Sequence, residues 1–182
     1  MLFRSDGSAQ RNKMRELQGK GKAWFNMNVL FLSLFLFLLD QISKYLVRHN
    51  MSLGQSIEII PNFFNLTYIT NDGMAFGINF PFGYYIFTAV SILLTIFLLW
   101  YLWSLKDHSI IPRLGLALII AGAFGNLIDR IFLGEVIDFL DFMIGDFNWY
   151  VFNFADSYVT IGMIMVLIDN IFFEKKREQI SA

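Results

Sequence analysis

"AGAFGNLIDRIFLGEVIDF", residues 121–139, starts as an apolar helix and then introduces Asn126, Asp129, Arg130 and Asp138. Burying such groups in hydrocarbon costs several kcal/mol each unless they are paired or hydrated. The stretch therefore reads as a membrane helix that ends in chemistry. Whether the rest of the chain supports that decides both fold and function.

It does. The chain has 182 residues, 56% of them hydrophobic, 18% aromatic and only 16% charged, with a mean hydropathy of +0.54. That balance is a membrane protein's. The formal net charge of -1 says little, because placement of charge matters more than its sum in a membrane. Cysteine is absent, which excludes a disulfide framework, a thiolate nucleophile and a cysteine metal site. With His49 and His108 as the two histidines, a multi-histidine zinc site is not expected either.

Apolar runs at 24–47, 84–105, 114–133 and 155–173 each have the length, roughly 20 residues, that crosses a bilayer as a helix. The expected fold is an all-α membrane protein, a bundle of four transmembrane helices forming one membrane-embedded domain over 1–182. Residues 1–23 read as a basic tail, with Lys13, Arg15, Lys20 and Lys22. No small-residue cleavage site follows the first run, so it is an uncleaved helix rather than a secretory signal. Basic residues also collect at Lys106 and Arg113 and at Lys175, Lys176 and Arg177. The positive-inside rule puts these and both termini in the cytoplasm, and turns the connections 48–83 and 134–154 outward.

On that plan Asp40 and Lys44, then Asn126, Asp129 and Arg130, then Asp156, all fall at the outer membrane face. Asp169 is the exception, near the inner end of the fourth helix, where cytoplasmic water or a lysine would meet it. In the first outer connection "SIEIIPNFFNLTYIT", residues 56–70, holds two β-branched and aromatic runs around Pro61 and Asn62, a strand-turn-strand signal. A small sheet at the interface follows. "NDGMAFGINFPFG" adds Gly73, Gly77 and Gly83 among aromatics, which suits tight turns at headgroup depth, and "FNWYVFNF" offers a further strand or an aromatic anchor. No internal repeat or second domain is visible.

"DQISK" at 40–44, "TNDGMAFG" at 70–77, "GNLIDRIFLGEVIDF" at 125–139 and "FNFADS" at 152–157 together resemble the ordered motifs of the lipoprotein signal peptidase (signal peptidase II) family. The resemblance runs from the first helix into the fourth. It implies an intramembrane aspartic endopeptidase of the bacterial cytoplasmic (inner) membrane that removes signal peptides from prolipoproteins, cleaving before a cysteine already carrying diacylglyceryl. Carried over motif by motif, the catalytic pair is Asp138 and Asp156. Asn71, Asn126, Arg130 and Asn153 match substrate-site positions, and Asp40, Lys44, Gly73 and Asp129 match supporting ones. The family fold adds a β-cradle in the extracytoplasmic loops and has no metal. The implied partners are the diacylglyceryl-modified substrate and membrane lipid, with no cofactor, no nucleic acid and a monomeric state.

The chemistry stands on its own terms. Two carboxylates sharing a water hydrolyse a peptide when one is ionised and takes the proton while the other is protonated and donates to the scissile carbonyl oxygen. Like charges so close do not both ionise cheaply, so the pair should titrate as one coupled unit. Asn126 sits three and four residues before Asp129 and Arg130, and can share a helix face with both. Arg130 offers five donors to a substrate carbonyl or to a carboxylate. Asn153 can orient Asp156 or cap the fourth helix, and Asn71 can bind an extended substrate chain.

Plainer roles compete with each of these. Asp156 alone would be a first-turn acid, Asp129 and Arg130 an interfacial ion pair, Asp40 and Lys44 a stabilising i,i+4 pair, and Asp141 and Asp146 solvated loop acids. Asp138 with Asp156 outweighs its plain alternative because the motifs arrive together. A proton-coupled transporter would repeat its acids through the membrane depth, whereas these gather at one end. A scaffold would use them only as interhelical glue.

Overall fold

The structure, a computed structural model, describes residues 7–72, 83–104, 110–145 and 147–174. Gly73, Gly77, Lys106, His108, Asp146, Lys175, Lys176 and Arg177 lie outside them, so the expectations placed there are not addressed. The order is α1 (Gly7–Asn50), β1 (Ser56–Ile60), β2 (Phe64–Asn71), α2 (Gly83–Ser104), α3 (Ile110–Leu133), β3 (Val136–Ile144), β4 (Phe147–Asn148) and α4 (Phe154–Asp169), with a π-helical turn over Asn170–Glu174.

Four helices are long and apolar enough to cross a membrane, over Asn28–Asn50, Tyr85–Leu102, Ile110–Leu133 and Phe154–Phe172. This is a multi-pass helical membrane protein. The spans fall where the apolar runs predicted them, with two informative differences. Helix α1 does not begin near Trp24 but continues back to Gly7, because the basic stretch is rich in Arg, Lys, Gln, Leu and Met, which hold helix well. Helix α3 begins at Ile110 rather than 114, with Pro112 in its first turn, where a missing N–H is no loss. Arg113, expected in the link, is consequently helical and buried, and Asp169, expected to meet cytoplasmic water or a lysine, is 3% exposed.

Helix α3 packs against α1, α2 and α4. Lipid gives helices no hydrophobic reason to associate, so close approach of small residues carries more of the load. A Cβ on Gly122 would run into the Ala155 carbonyl and the Val159 side chain, and one on Gly162 into the Gly115 carbonyl. Gly122→Val is expected to push α3 off α4 and destabilise the bundle by about 1–3 kcal/mol. Thermal unfolding in detergent measures this; an unchanged midpoint would show that the seam tolerates separation.

The sheet is antiparallel in the order β1-β2-β3-β4. The predicted turn between β1 and β2 is present, with Asn62 at φ 57, a left-handed conformation that asparagine tolerates. Strand β3 was not expected. It pairs Ile69 with Asp138 and Asn71 with Val136 across β2, so the two outer connections form one cradle. Phe152 closes its far side through a bridge to Leu140. Val47, Tyr68, Ile137 and Phe139 are buried together beneath the sheet, flanked by Leu66, Leu133 and Phe154. That core joins the end of α1 to the strand carrying Asp138.

Candidate active site

Helix α3 stops at Leu133, and Gly134, at φ +83, turns the chain into β3. Asp138 thereby lies three residues into a strand anchored on α3. Helix α4 starts beside it. Asn153, with extended φ -128 and ψ -178, caps α4: its side chain accepts from the Asp156 N–H at 2.9 Å, and the Asp156 carboxyl accepts from the Asn153 N–H at 3.2 Å. Asn153 thus does both things the sequence suggested, orienting Asp156 and capping the helix.

The same asparagine holds the other acid. Its Nδ2 donates to Asp138 Oδ1 at 2.7 Å and lies 3.3 Å from the Ile137 carbonyl and 3.1 Å from Asn126 Oδ1. Asn126 Nδ2 donates to Asp156 Oδ1 at 2.8 Å. Asn71, across the sheet, donates to Asp138 Oδ2 at 3.4 Å, a long contact. Two acids distant in sequence are therefore tied to one fully buried asparagine, Asp138 through its side chain and Asp156 through its backbone N–H.

Beneath them lies a charged core. Lys44, 2% exposed, places its ammonium 2.9 Å from Asp40, 2.9 Å from Asp129 and 2.8 Å from Asn126 Oδ1. Three donors meet three acceptors. Asp40 Oδ1 accepts the Ala155 N–H at 2.9 Å, which pins the first turn of α4 to α1. Asp129 Oδ2 accepts the Ile137 N–H at 3.4 Å, which ties α3 to β3. The i,i+4 pairing of Asp40 with Lys44 is as expected. Asp129, expected to pair with Arg130, pairs with Lys44 instead, since adjacent helical side chains do not face each other. Arg130 donates to the Asn126 carbonyl at 3.3 Å and is drawn electrostatically to Asp156, Asp129 and Asp138.

Gln41 was missed. Its Nε2 lies 3.0 Å from Asp129 Oδ1 and 3.2 Å from both Asp40 Oδ2 and the Gly125 carbonyl, bridging the two counterions of Lys44. A polar residue beside Asp40 in an oily run was the available signal. Asp141, expected as a solvated loop acid, is a half-buried strand residue accepting from Thr67 at 2.6 Å.

Burial, and then the negative charge of Asp156, push the Asp138 carboxyl up to about 7, against the hydrogen bonds from Asn153 and Asn71 and the charge of Lys44. A cavity of about 530 Å³ runs from Asn126, Arg130 and Asp156 down between Leu94, Leu98 and Met163. Another of about 410 Å³ flanks α4 between Trp149, Asp156 and Ile161. Among the described residues no three His, Asp or Glu side chains are grouped as a metal ion would require.

A sequence-family model for signal peptidase (SPase) II matches residues 32–172. The chain belongs to the signal peptidase II family. Lipoprotein signal peptidase of Clostridioides difficile is 46% identical over 151 residues, 82% of this chain and 99% of the relative. That of Fusobacterium nucleatum is 37% identical over 153 residues, 84% and 91% of the two chains. A solved bacterial membrane enzyme, determined by the in meso method at 2.3 Å, superposes with a TM-score of 0.70 at 34% identity, over 81% of this chain and 92% of its own. Membership in signal peptidase II makes the chain a peptidase. The four motifs quoted above lie within the matched span, and the residues preceding it belong to the basic extension and the first turns of the α1 span.

Proposed function

We propose that this chain is an intramembrane aspartic endopeptidase that releases signal peptides from diacylglyceryl-modified bacterial prolipoproteins, cutting before the lipidated cysteine. One observation carries it: the Asn153 amide and backbone N–H bind a carboxyl oxygen of Asp138 and of Asp156, respectively. Asp138 and Asp156 act as the dyad. The ionised acid takes a proton from water as the water oxygen bonds to the scissile carbonyl carbon, and the other acid gives its proton to the carbonyl oxygen. Collapse re-forms the carbonyl, breaks the C–N bond, protonates the leaving amine and returns the dyad to one shared proton.

Asn71, Asn126, Arg130 and Asn153 hold the substrate backbone, and Asp40, Lys44, Gly73 and Asp129 support them. The apolar cavity descending from Asp156 suits the oily part of a substrate that enters sideways from lipid. With both termini cytoplasmic in the inner membrane, the sheet end faces outward, at the depth where acyl-modified cysteine meets the peptide. The enzyme works as a monomer and needs no cofactor.

Incubation of purified protein with diacylglyceryl-modified and unmodified precursor tests this. Release restricted to the modified form is expected; release from both, or from neither, would contradict the substrate assignment. Cleavage should also fall as pH rises above about 7, as Asp138 loses its proton. The stability linkage has the same direction. The native carboxyl is raised from 3.8, so its contribution to folding is fully present below that value and is lost as pH rises through about 7. A pH profile of kcat/KM that rises through this range would contradict it.

A further inference from the structure

The peptidase reading leaves open which acid begins with the proton. The lengths of the hydrogen bonds in the buried network distinguish the two. An ammonium has no acceptor, so the Asn126 atom 2.8 Å from Lys44 Nζ is its carbonyl oxygen. The Asn126 NH₂ must then face Asp156 Oδ1, at 2.8 Å. A backbone N–H likewise only donates, so the Asn153 atom 2.9 Å from the Asp156 N–H is its oxygen, and the Asn153 NH₂ faces Asp138 Oδ1 at 2.7 Å. The remaining oxygen of Asp156, Oδ2, meets the Asn153 backbone N–H at 3.2 Å.

All four carboxyl oxygens face donors, but three do so at 2.7–3.2 Å, where an added proton would crowd a hydrogen already in place. The fourth is Asp138 Oδ2. Among the described residues its contact is the long one, 3.4 Å to Asn71. We propose that the shared proton resides on Asp138 Oδ2 and that Asp156 is the base that activates water, with Lys44 acting as a positioning residue that fixes the Asn126 amide.

The charged surroundings agree. Asp138 is faced by Asp156 from α4, Lys44 from α1 and Arg130 from α3; Asp156 is faced by Asp138 and by Arg130. Asp156 also sits in the first turn of α4, where the helix dipole favours a negative charge. The upward displacement of the Asp138 carboxyl supports the same order. In the reaction, water gives its proton to Asp156 as its oxygen bonds to the scissile carbon, and Asp138 Oδ2–H protonates the carbonyl oxygen. On collapse Asp156 delivers its proton to the leaving nitrogen as the C–N bond breaks, and the oxygen's proton returns to Asp138.

This rests on the peptidase reading, and the pH dependence of kcat/KM separates the two. The full-length protein, reconstituted with modified precursor, is compared with Asn126→Ala and Asn71→Ala. Asn126→Ala removes a donor from Asp156, so the acid limb of the profile should move while the alkaline limb stays in place. Asn71→Ala touches Asp138 and should move the alkaline limb alone. Asn71 is exposed on the sheet, so this arm stands even if Asn126→Ala does not fold. The crossed pattern, or equal movement of both limbs in each variant, would overturn the proton assignment while leaving the peptidase intact. No release by the wild-type protein would overturn both.

Discussion

Asp138→Asn and Asp156→Asn, made separately, are each expected to lower kcat on modified precursor by about 10⁴-fold, the upper end of what positioned acid–base catalysis supplies. The fold should survive both. An asparagine at 156 retains an oxygen that can accept the Asn153 N–H, so the start of α4 stays capped. An asparagine at 138 still offers an oxygen to the Asn153 NH₂ and removes a buried charge pair's repulsion. What each loses is the ability to exchange a proton. Rates measured at substrate saturation, with detergent-phase unfolding as the control for folding, check this. A variant that cuts within tenfold of wild type would take its residue out of the dyad.

The second large effect belongs to Lys44. Lys44→Met leaves Asp40 and Asp129, at 0% and 3% exposure, without the ammonium that neutralises both. Breaking a buried ion pair by removing one partner costs about 3–5 kcal/mol, because the charge left behind is neither paired nor solvated. The consequence should reach beyond α1. Asp40 also holds the Ala155 N–H and Asp129 the Ile137 N–H, the backbone on either side of the candidate dyad. Equilibrium unfolding in mixed micelles should show the loss, and Asp40→Asn, which can keep the Ala155 contact, should lose less. Equal stability of Lys44→Met and wild type would mean that the two acids are protonated and the network is not ionic.

The membrane spans were legible because twenty-residue apolar runs have few other uses, and the β1–β2 turn because Pro61 and Asn62 interrupt two β-branched stretches. Strand β3 was not. "VIDFLDFMI" is a short apolar run after a long helix, and such runs do not declare strand or helix by period alone. Its partner β2 lies far back in sequence, so only tertiary pairing reveals it. The basic extension read as a tail from its charge, and charge alone did not announce that it is helical from Gly7, although its residues are good helix formers.

At the site, residue types were readable and partners were not. Asp129 and Arg130 are neighbours in sequence and diverge on the helix, whereas Asp129 and Lys44 come from different helices and meet at 2.9 Å. Asn153 was legible as a cap, since the spacing to Asp156 is that of a capping box. That its amide also reaches Asp138 depends on where β3 lies, which the sequence left open. Gln41 escaped notice because an uncharged amide in an oily run draws less attention than the aspartate beside it.

The most direct test of the dyad is mass spectrometry of modified precursor cut in heavy-oxygen water by the wild-type protein, Asp138→Asn and Asp156→Asn. The wild type should leave one heavy oxygen at the carboxyl end of the released signal peptide and a lipidated cysteine at the other new end, and both variants should leave the precursor whole. Release by either variant, or a cut elsewhere in the precursor, would contradict it.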